Sequence, residues 1–573
     1  MSTGTDFFSC LRGLQNLVDK DGHPLPPGPP LRYPFLPKYN ERILHRWTKK
    51  YGPLYSVWMG NQLFVVLNDP TVVRDLLVVH GANFSSRWNF FMKNQTILKG
   101  GAITATPYND TWRKHRRIAN TILAPKAVES YSATLDYEAH MLIRSLFHDT
   151  KQGLIPVNPA HYAGRYVLNN MLSVTFGTRT GSVADPLVRR ALPLGNEFMK
   201  LTGPWSNAID FIKPLQWIPT RIRSRGRKLR KDFLEVYGAM INLVKHRMES
   251  GENVPDCLVK SLLEYQEDEK LSWTDMCLLT TAFATGGSHS TSGTIQWFLA
   301  FMPSHPEIQA KAHEELDRVI GRDQWPTPED EMRLPYVRAI IKEVTHHPIF
   351  SFPLFCSRPS LSSPFWMATP HCSDNDFVYR GMFIPANTVM MLNCYSLHHN
   401  EERYPDPFKF NPDRFMGDDY SSTESSKLPN AMDRDHWAFG AGRRICPGMP
   451  VAEKEIFLAI SRLLWAFTIQ SVPGEPISLD EYEGNSGRTP LPFRIRLSPR
   501  HDNVRSVLDA RAETLVFLEC RLGAVGRIAW HDGNGANLTL PNKVADAVSC
   551  QYQDAVLLMA PDQIVAHVQP TKS

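Results

Sequence analysis

Nine cysteines, at positions 10, 257, 277, 356, 372, 394, 446, 520 and 550, include no Cys-x-x-Cys pair. That spacing speaks against a zinc ribbon or a disulfide framework and for a reducing compartment. Net charge is slight too: Lys+Arg 63 against Asp+Glu 58 leaves a formal +5, too small an excess to make nucleic acid an expected partner. No glycine-rich dinucleotide fingerprint follows a predicted strand, so the chain is not expected to carry its own flavin or nicotinamide site. Residues Met1 to Pro24 contain Asp6, Arg12, Asp19, Lys20 and Asp21 and no apolar run near the roughly 20 residues that span a bilayer. Internal repeats and low-complexity arrays are missing. What is there, 42% hydrophobic residues over 573 positions, suffices for a large core and suits a globular enzyme.

The apolar spacing is mostly helical. It predicts helices over Thr71 to Gly81, Asp110 to Ile122, Ala127 to Thr150, Gly164 to Phe176, Lys228 to Ser250, Thr274 to Met302 and Val451 to Ile469. Two β-rich runs, Tyr51 to Gly60 and Gln62 to Leu67, meet at Gly60-Asn61 and predict a hairpin. A second strand pair is expected over Val378 to Thr388.

The most informative stretch is Phe439-Gly440-Ala441-Gly442-Arg443-Arg444-Ile445-Cys446-Pro447-Gly448. Its glycines allow close backbone approach, and Arg443 and Arg444 are expected to favour the thiolate of Cys446, the metal-binding form. The helix that follows would direct N-terminal amides at the sulfur. A structural cysteine in a basic turn is the plain alternative. The pattern Phe-x-x-Gly-x-Arg-x-Cys-x-Gly, met at Phe439, Gly442, Arg444, Cys446 and Gly448, resembles the haem-binding loop of the cytochrome P-450 monooxygenases. The resemblance, which runs from about Pro26 to Leu508, implies a mostly α fold with a minor β-sheet region in one large domain. It also implies haem b, with Cys446 as the axial ligand.

Other segments carry the resemblance further. Trp112 and Arg116 lie four apart on one helix face, and the family uses such a pair to hold a haem propionate, with Arg444 expected on the opposite side. Gly286-Gly287-Ser288-His289-Ser290-Thr291 resembles the family's oxygen-activating helix, but His289 replaces the usual acid and Ser290 the first threonine. Ser290 keeps a hydroxyl for that site, and His289 could relay protons in the acid's place or be an ordinary core histidine. Thr291 completes the expected catalytic set. Glu343 resembles the start of the family's Glu-x-x-Arg, yet the arginine position holds His346, which cannot form a bidentate fork. Arg414 is the expected third member of that structural cluster.

Three segments depart from the pattern. Residues 1–36 are an N-terminal segment ending in a proline-rich stretch from Leu25 to Pro30. It is either an ordinary lead-in to the domain or the hinge that, in membrane-bound members, follows an anchor helix. Within the haem domain, expected over 37–508, residues 347–371 show neither helical nor strand period and read as an insertion or translated intron. Residues 509–573 lie outside the resemblance, a C-terminal extension of unknown role that either forms a small β appendage or is a mis-joined neighbouring exon.

The favoured reading is a haem-thiolate monooxygenase of fungal type. It would oxidise a small apolar substrate with O2 and electrons from NADPH, delivered by a separate cytochrome P-450 reductase, in secondary-metabolite biosynthesis. It would lie on the cytoplasmic side, at the endoplasmic reticulum surface if an anchor precedes it. A haem-thiolate isomerase or dehydratase, suggested by the altered oxygen helix, and a non-functional haem protein, suggested by His346, are the alternatives.

Overall fold

A computed structural model describes residues 17–203, 205, 207–346 and 366–510, together with four short strand segments between 527 and 569. Two units divide the chain, the first made of Met1–Ile241 and Cys257–Leu508, the second of Asn242–Asp256 and Asp509–Ser573.

The first unit opens on a sheet. Strands β1 (Arg32–Tyr33), β2 (Leu54–Met59), β3 (Gln62–Leu67), β4 (His371–Cys372) and β5 (Val389–Leu392) lie in the order β1-β2-β3-β5-β4. The predicted hairpin is β2 and β3, antiparallel with Leu54 opposite Leu67, and β3 then runs parallel to β5 with Val65 beside Met390. Both faces of this sheet are covered, so alternate residues feed two cores. Val57, Phe64, Val66 and Met391 pack with Trp205 and Trp366 on one side, while Val65, Leu67, Met390 and Leu392 pack with Leu76, Leu77 and Trp437 on the other. The expected second strand pair is the hairpin Phe377–Tyr379 and Met382–Ile384.

Helices make up most of the remainder. Those that position the site are α1 (Asn40–Tyr51), α2 (Asp110–Leu123), α3 (Pro159–Phe176), α4 (Pro186–Leu201), α5 (Trp273–Phe301), α6 (Pro335–His346) and α7 (Met449–Ala466). Three predicted spans differ. That from Val451 ends at Ala466, and Phe467 to Ile469 belong instead to the strand Phe467–Ser471, paired antiparallel with Ile495–Pro499. The run from Ala127 to Thr150 breaks at Tyr131 into Pro125–Ser130 and Ser132–Asp149, and that from Thr71 passes after Pro70–Val73 into a π-helical turn, Arg74–Val79. Helix α4 escapes a periodicity reading because Pro193 sits inside it. Helix α5 is capped by Ser272, whose side chain accepts from the Asp275 amide while Asp275 returns the bond. It is buried on nearly all sides, and Gly287 lets it approach α3 so closely that a Cβ there would lie 2.3 Å from Met171 Sδ.

Most of the anomalous segment, 347–365, lies outside the described residues. Its last six positions belong to the fold: Trp366 is fully buried, and His371 begins β4. In the second unit the described strands pair as Arg527–Ala529 with His567–Gln569 and Met559–Ala560 with Gln563–Ile564.

Candidate active site around Cys446

The loop before α7 is built by its backbone. Gly440 and Gly442 have φ of 74° and 63°, conformations that favour glycine. A Cβ on Gly442 would also fall 1.9 Å from the Leu77 carbonyl. The Cys446 amide donates to the Phe439 carbonyl at 2.9 Å and closes the turn. Behind it, Arg434 sits 4.2 Å over the Trp437 ring and donates to the Gly440 carbonyl at 2.7 Å. The Trp437 amide donates to His398 Nε2 at 2.8 Å.

Cys446 is exposed at the end of this loop, just before α7. Burial of its surroundings pushes its pKa up, while the amides of Gly448 and Met449 at the start of α7, together with the Arg116 charge, pull it down. The helix start therefore acts on the sulfur as expected, but the cation is a different one. Arg443 turns outward to the Tyr108 hydroxyl, and Arg444 is tied to carbonyls, so neither supplies the expected charge.

Arg116 donates to the Ile445 carbonyl at 2.8 Å. Arg444 does not lie opposite the Trp112 and Arg116 pair: its guanidinium stacks 4.2 Å over the Trp112 ring and donates to the carbonyls of Ser85 and Thr106, both at 2.7 Å. Cation–π attraction and three carbonyls draw it onto the same side. Three further groups join this cluster: Arg87, His371 and Lys93, the last facing the charges of Arg87 and Arg444. Arg87 donates to the carbonyls of Thr369 and Pro370 at 2.7 and 2.8 Å, and His371 holds the Phe84 carbonyl at 2.7 Å through Nδ1. Burial and mutual repulsion depress them together: Arg444 falls to about 9, Lys93 to about 7, and His371 well below its usual value.

None of Arg87, Lys93, Arg116 and Arg444 forms an ion pair with a carboxylate among the described residues. A cluster of like charges, with Arg444 buried and Arg87, Lys93 and Arg116 half-buried, is costly unless an anion completes it. An accessible thiol backed by two amides, beside a cationic knot that suits two carboxylates, fits iron protoporphyrin: sulfur for the metal, Arg87, Arg116, Arg444, Trp112 and His371 for the propionates. Sequence reasoning missed Arg87, Lys93 and His371, which carry no local motif and meet the others only through the fold.

On α5 the three expected catalytic residues point in three directions. Gly286 faces open space, and Ser290 Oγ donates back to its carbonyl at 2.7 Å, so both lie on the open face. His289 turns inward, its ring near Met199 of α4 and so close to Gly487 that a Cβ there would sit 3.1 Å away. Burial holds its pKa down at about 4. Thr291 is buried on another side, against Glu455 of α7.

The structural cluster forms without its arginine. Glu343 takes Arg414 Nε at 3.1 Å on one oxygen and the Asn411 amide at 2.7 Å on the other. The rest of the Arg414 fork goes to the carbonyls of Pro405, Asp406 and Lys409. His346 lies fully buried, Nδ1 3.6 Å from Glu343 and its ring 4.2 Å from Tyr404. In place of an arginine fork, this position offers an imidazole that faces Glu343 and packs on the rings of Tyr404 and Phe415.

A thiolate loop, a cationic cradle and a hydroxyl-bearing helix face define the class as a haem-thiolate protein. Comparison with known proteins agrees: the cytochrome P450 family profile matches residues 26–497. Cytochrome P450 monooxygenase polD of Polytolypa hystricis is 31% identical over 82% of this chain and 87% of its own length. For cytochrome P450 monooxygenase virE of Hypocrea virens the figures are 30%, 83% and 86%, and for patH of Penicillium expansum 30%, 80% and 86%. The chain belongs to the cytochrome P450 family, in its fungal branch, and is a haem-thiolate monooxygenase. No described helix is long and apolar enough to cross a membrane.

Proposed function

We propose that the protein oxidises a small apolar organic substrate in fungal secondary metabolism, with O2 and with electrons passed from NADPH through a separate reductase. The observation that carries this reading is the accessible Cys446 thiol at the start of α7 beside the cluster of Arg87, Arg116 and Arg444. When bound, the haem supplies oxygen activation and electron acceptance, with electron density pushed from the sulfur. The chain's own residues do the rest. Amides of Gly448 and Met449 and the Arg116 charge pull the Cys446 pKa down against burial, and Arg87, Arg116 and Arg444 would hold the carboxylates of the cofactor. Gly286 leaves room on the open face of α5, where Ser290 presents a hydroxyl. His289 is neutral at working pH and would pass a proton only as a neutral ring, accepting at one nitrogen while donating at the other.

For the reductase, the surface beside the cysteine loop offers exposed Arg443 and the half-exposed Val78 and Val79, whose turn abuts Gly442. An exposed arginine beside an apolar patch suits an acidic partner. The test is turnover of the purified, haem-loaded protein with NADPH. No NADPH oxidation is expected until a cytochrome P450 reductase is added, and oxidation without it overturns the electron route. Anaerobic incubation separates the isomerase alternative, which would still form product.

A further inference from the structure

Helix α4 ends at Leu201, and a helix end leaves its last carbonyls without partners inside the helix. Thr202 Oγ1 and Asn207 Nδ2 donate to those of Phe198 and Leu201, both at 2.8 Å. The two between them are taken by a distant segment, 483–488. The amides of Asn485 and Ser486 donate to the Met199 carbonyl at 3.0 and 3.3 Å, and Asn485 Nδ2 donates to the Lys200 carbonyl at 2.7 Å. An ion pair of Lys200 with Glu483 at 2.9 Å adds a third tie. The same segment then crosses α5, where Trp297 Nε1 donates to the Arg488 carbonyl at 3.1 Å. One loop therefore binds the last turn of α4 to the oxygen helix. Helix α4 also leans on α5 directly: a Cβ on Gly195 would lie 3.6 Å from the methyl of Thr285, the neighbour of Gly286.

His289 stands at the crossing. A Cβ on Gly487 would sit 3.1 Å from both Cε1 and Nδ1 of its ring and 3.2 Å from Met199 Sδ, so ring, loop and α4 meet at one glycine. The thioether ends a flexible chain and can give way. The ring is 8% exposed on a helix buried on nearly all sides and has less room to move. We propose that His289 acts by contact, as a positioning residue: wedged between α5 and Gly487, it holds the turn from Gly286 to Ser290 at the spacing set by the end of α4 and the segment 483–488. A proton relay needs the nitrogens of the ring, whereas a wedge needs only its volume. The inference rests on the monooxygenase reading, because the turn that is held carries the open face of α5.

Haem-loaded wild type, His289→Ala, His289→Leu, Gly487→Ala and the double variant of His289→Ala with Gly487→Ala are compared. Two signals are read: thermal unfolding, and the infrared stretching band of carbon monoxide on the reduced protein, which senses the surroundings of the bound gas. His289→Ala is expected to move the band. Leucine nearly matches histidine in volume and has no nitrogen, so His289→Leu should keep the band near its wild-type position. The backbone at Gly487 is one that alanine adopts, and only space is at stake there. Gly487→Ala should therefore press on the ring, lower Tm and shift the band. With His289→Ala already present, the same methyl enters vacated space and moves neither signal further, so the two substitutions are not additive. A His289→Ala band at the wild-type position overturns the wedge. A His289→Leu band displaced as far as that of His289→Ala overturns it too, and puts the role in the nitrogens. Additive shifts overturn the contact at Gly487. Should Gly487→Ala not fold, the two His289 variants decide alone. Neither signal needs NADPH, reductase or substrate, so failure here and failure of the monooxygenase reading, which product formed without oxygen would reveal, are told apart.

Discussion

In the loop from Phe439 to Gly448 the backbone does the aiming: two glycines with positive φ, a closing amide to Phe439 and two helix-start amides converge on one sulfur. In α5 the aiming falls to side chains on a regular helix, where neighbours in sequence are about 100° apart. His289, Ser290 and Thr291 therefore face Met199 and Gly487, the open side, and Glu455 respectively. A loop can gather consecutive residues on one target, whereas a helix must distribute them. Replacement in the loop is consequently expected to be all or none, and replacement on the helix graded.

The largest effect belongs to Cys446. The reduced protein with carbon monoxide should show the red-shifted Soret band of thiolate-ligated haem, and Cys446→His should abolish it. A wild-type spectrum like that of imidazole-ligated haem would sink the assignment. Next comes Gly442→Ala, which needs a left-handed backbone and meets the Leu77 carbonyl at 1.9 Å. A cost on the order of 2–4 kcal/mol is expected, read as a lower Tm and a fall in haem content per protein. Normal haem loading in that variant would show that the loop shifts freely and that the contrast with the helix is false.

Why the two regions differ in readability follows from the same geometry. Cys446, Phe439, Gly442, Arg444 and Gly448 lie within ten residues, so fixed spacing revealed the loop. Arg87 and His371 lie almost three hundred positions apart and are joined only because Cys372, next to His371, pairs with Ser86, next to Arg87. No local pattern encodes such a meeting. The pairing of Glu343 with Arg414 was readable; the packing of His346 against Tyr404 and Phe415 was not.

The smallest effects are those on α5, and they separate its faces. Ser290→Ala removes the only one of the three side chains on the open face. It should raise the share of NADPH lost to hydrogen peroxide and lower product, by up to the roughly 10²-fold typical of a modest proton-transfer contribution, while the carbon monoxide spectrum stays intact. His289→Asn tests the inward face. Burial depresses the His289 pKa to about 4, so between the usual 6.5 and about 4 the unfolded chain takes up a proton that the folded chain refuses. Stability attributable to neutral His289 is therefore complete above pH 6.5 and declines as pH falls through that window. The variant should lose less Tm than wild type on acidification, and its peroxide share should show no inflection at the ordinary histidine pKa. An inflection near pH 6.5 in wild type that disappears in His289→Asn would mean that the ring titrates in contact with solvent and that the inward placement of this side chain is wrong.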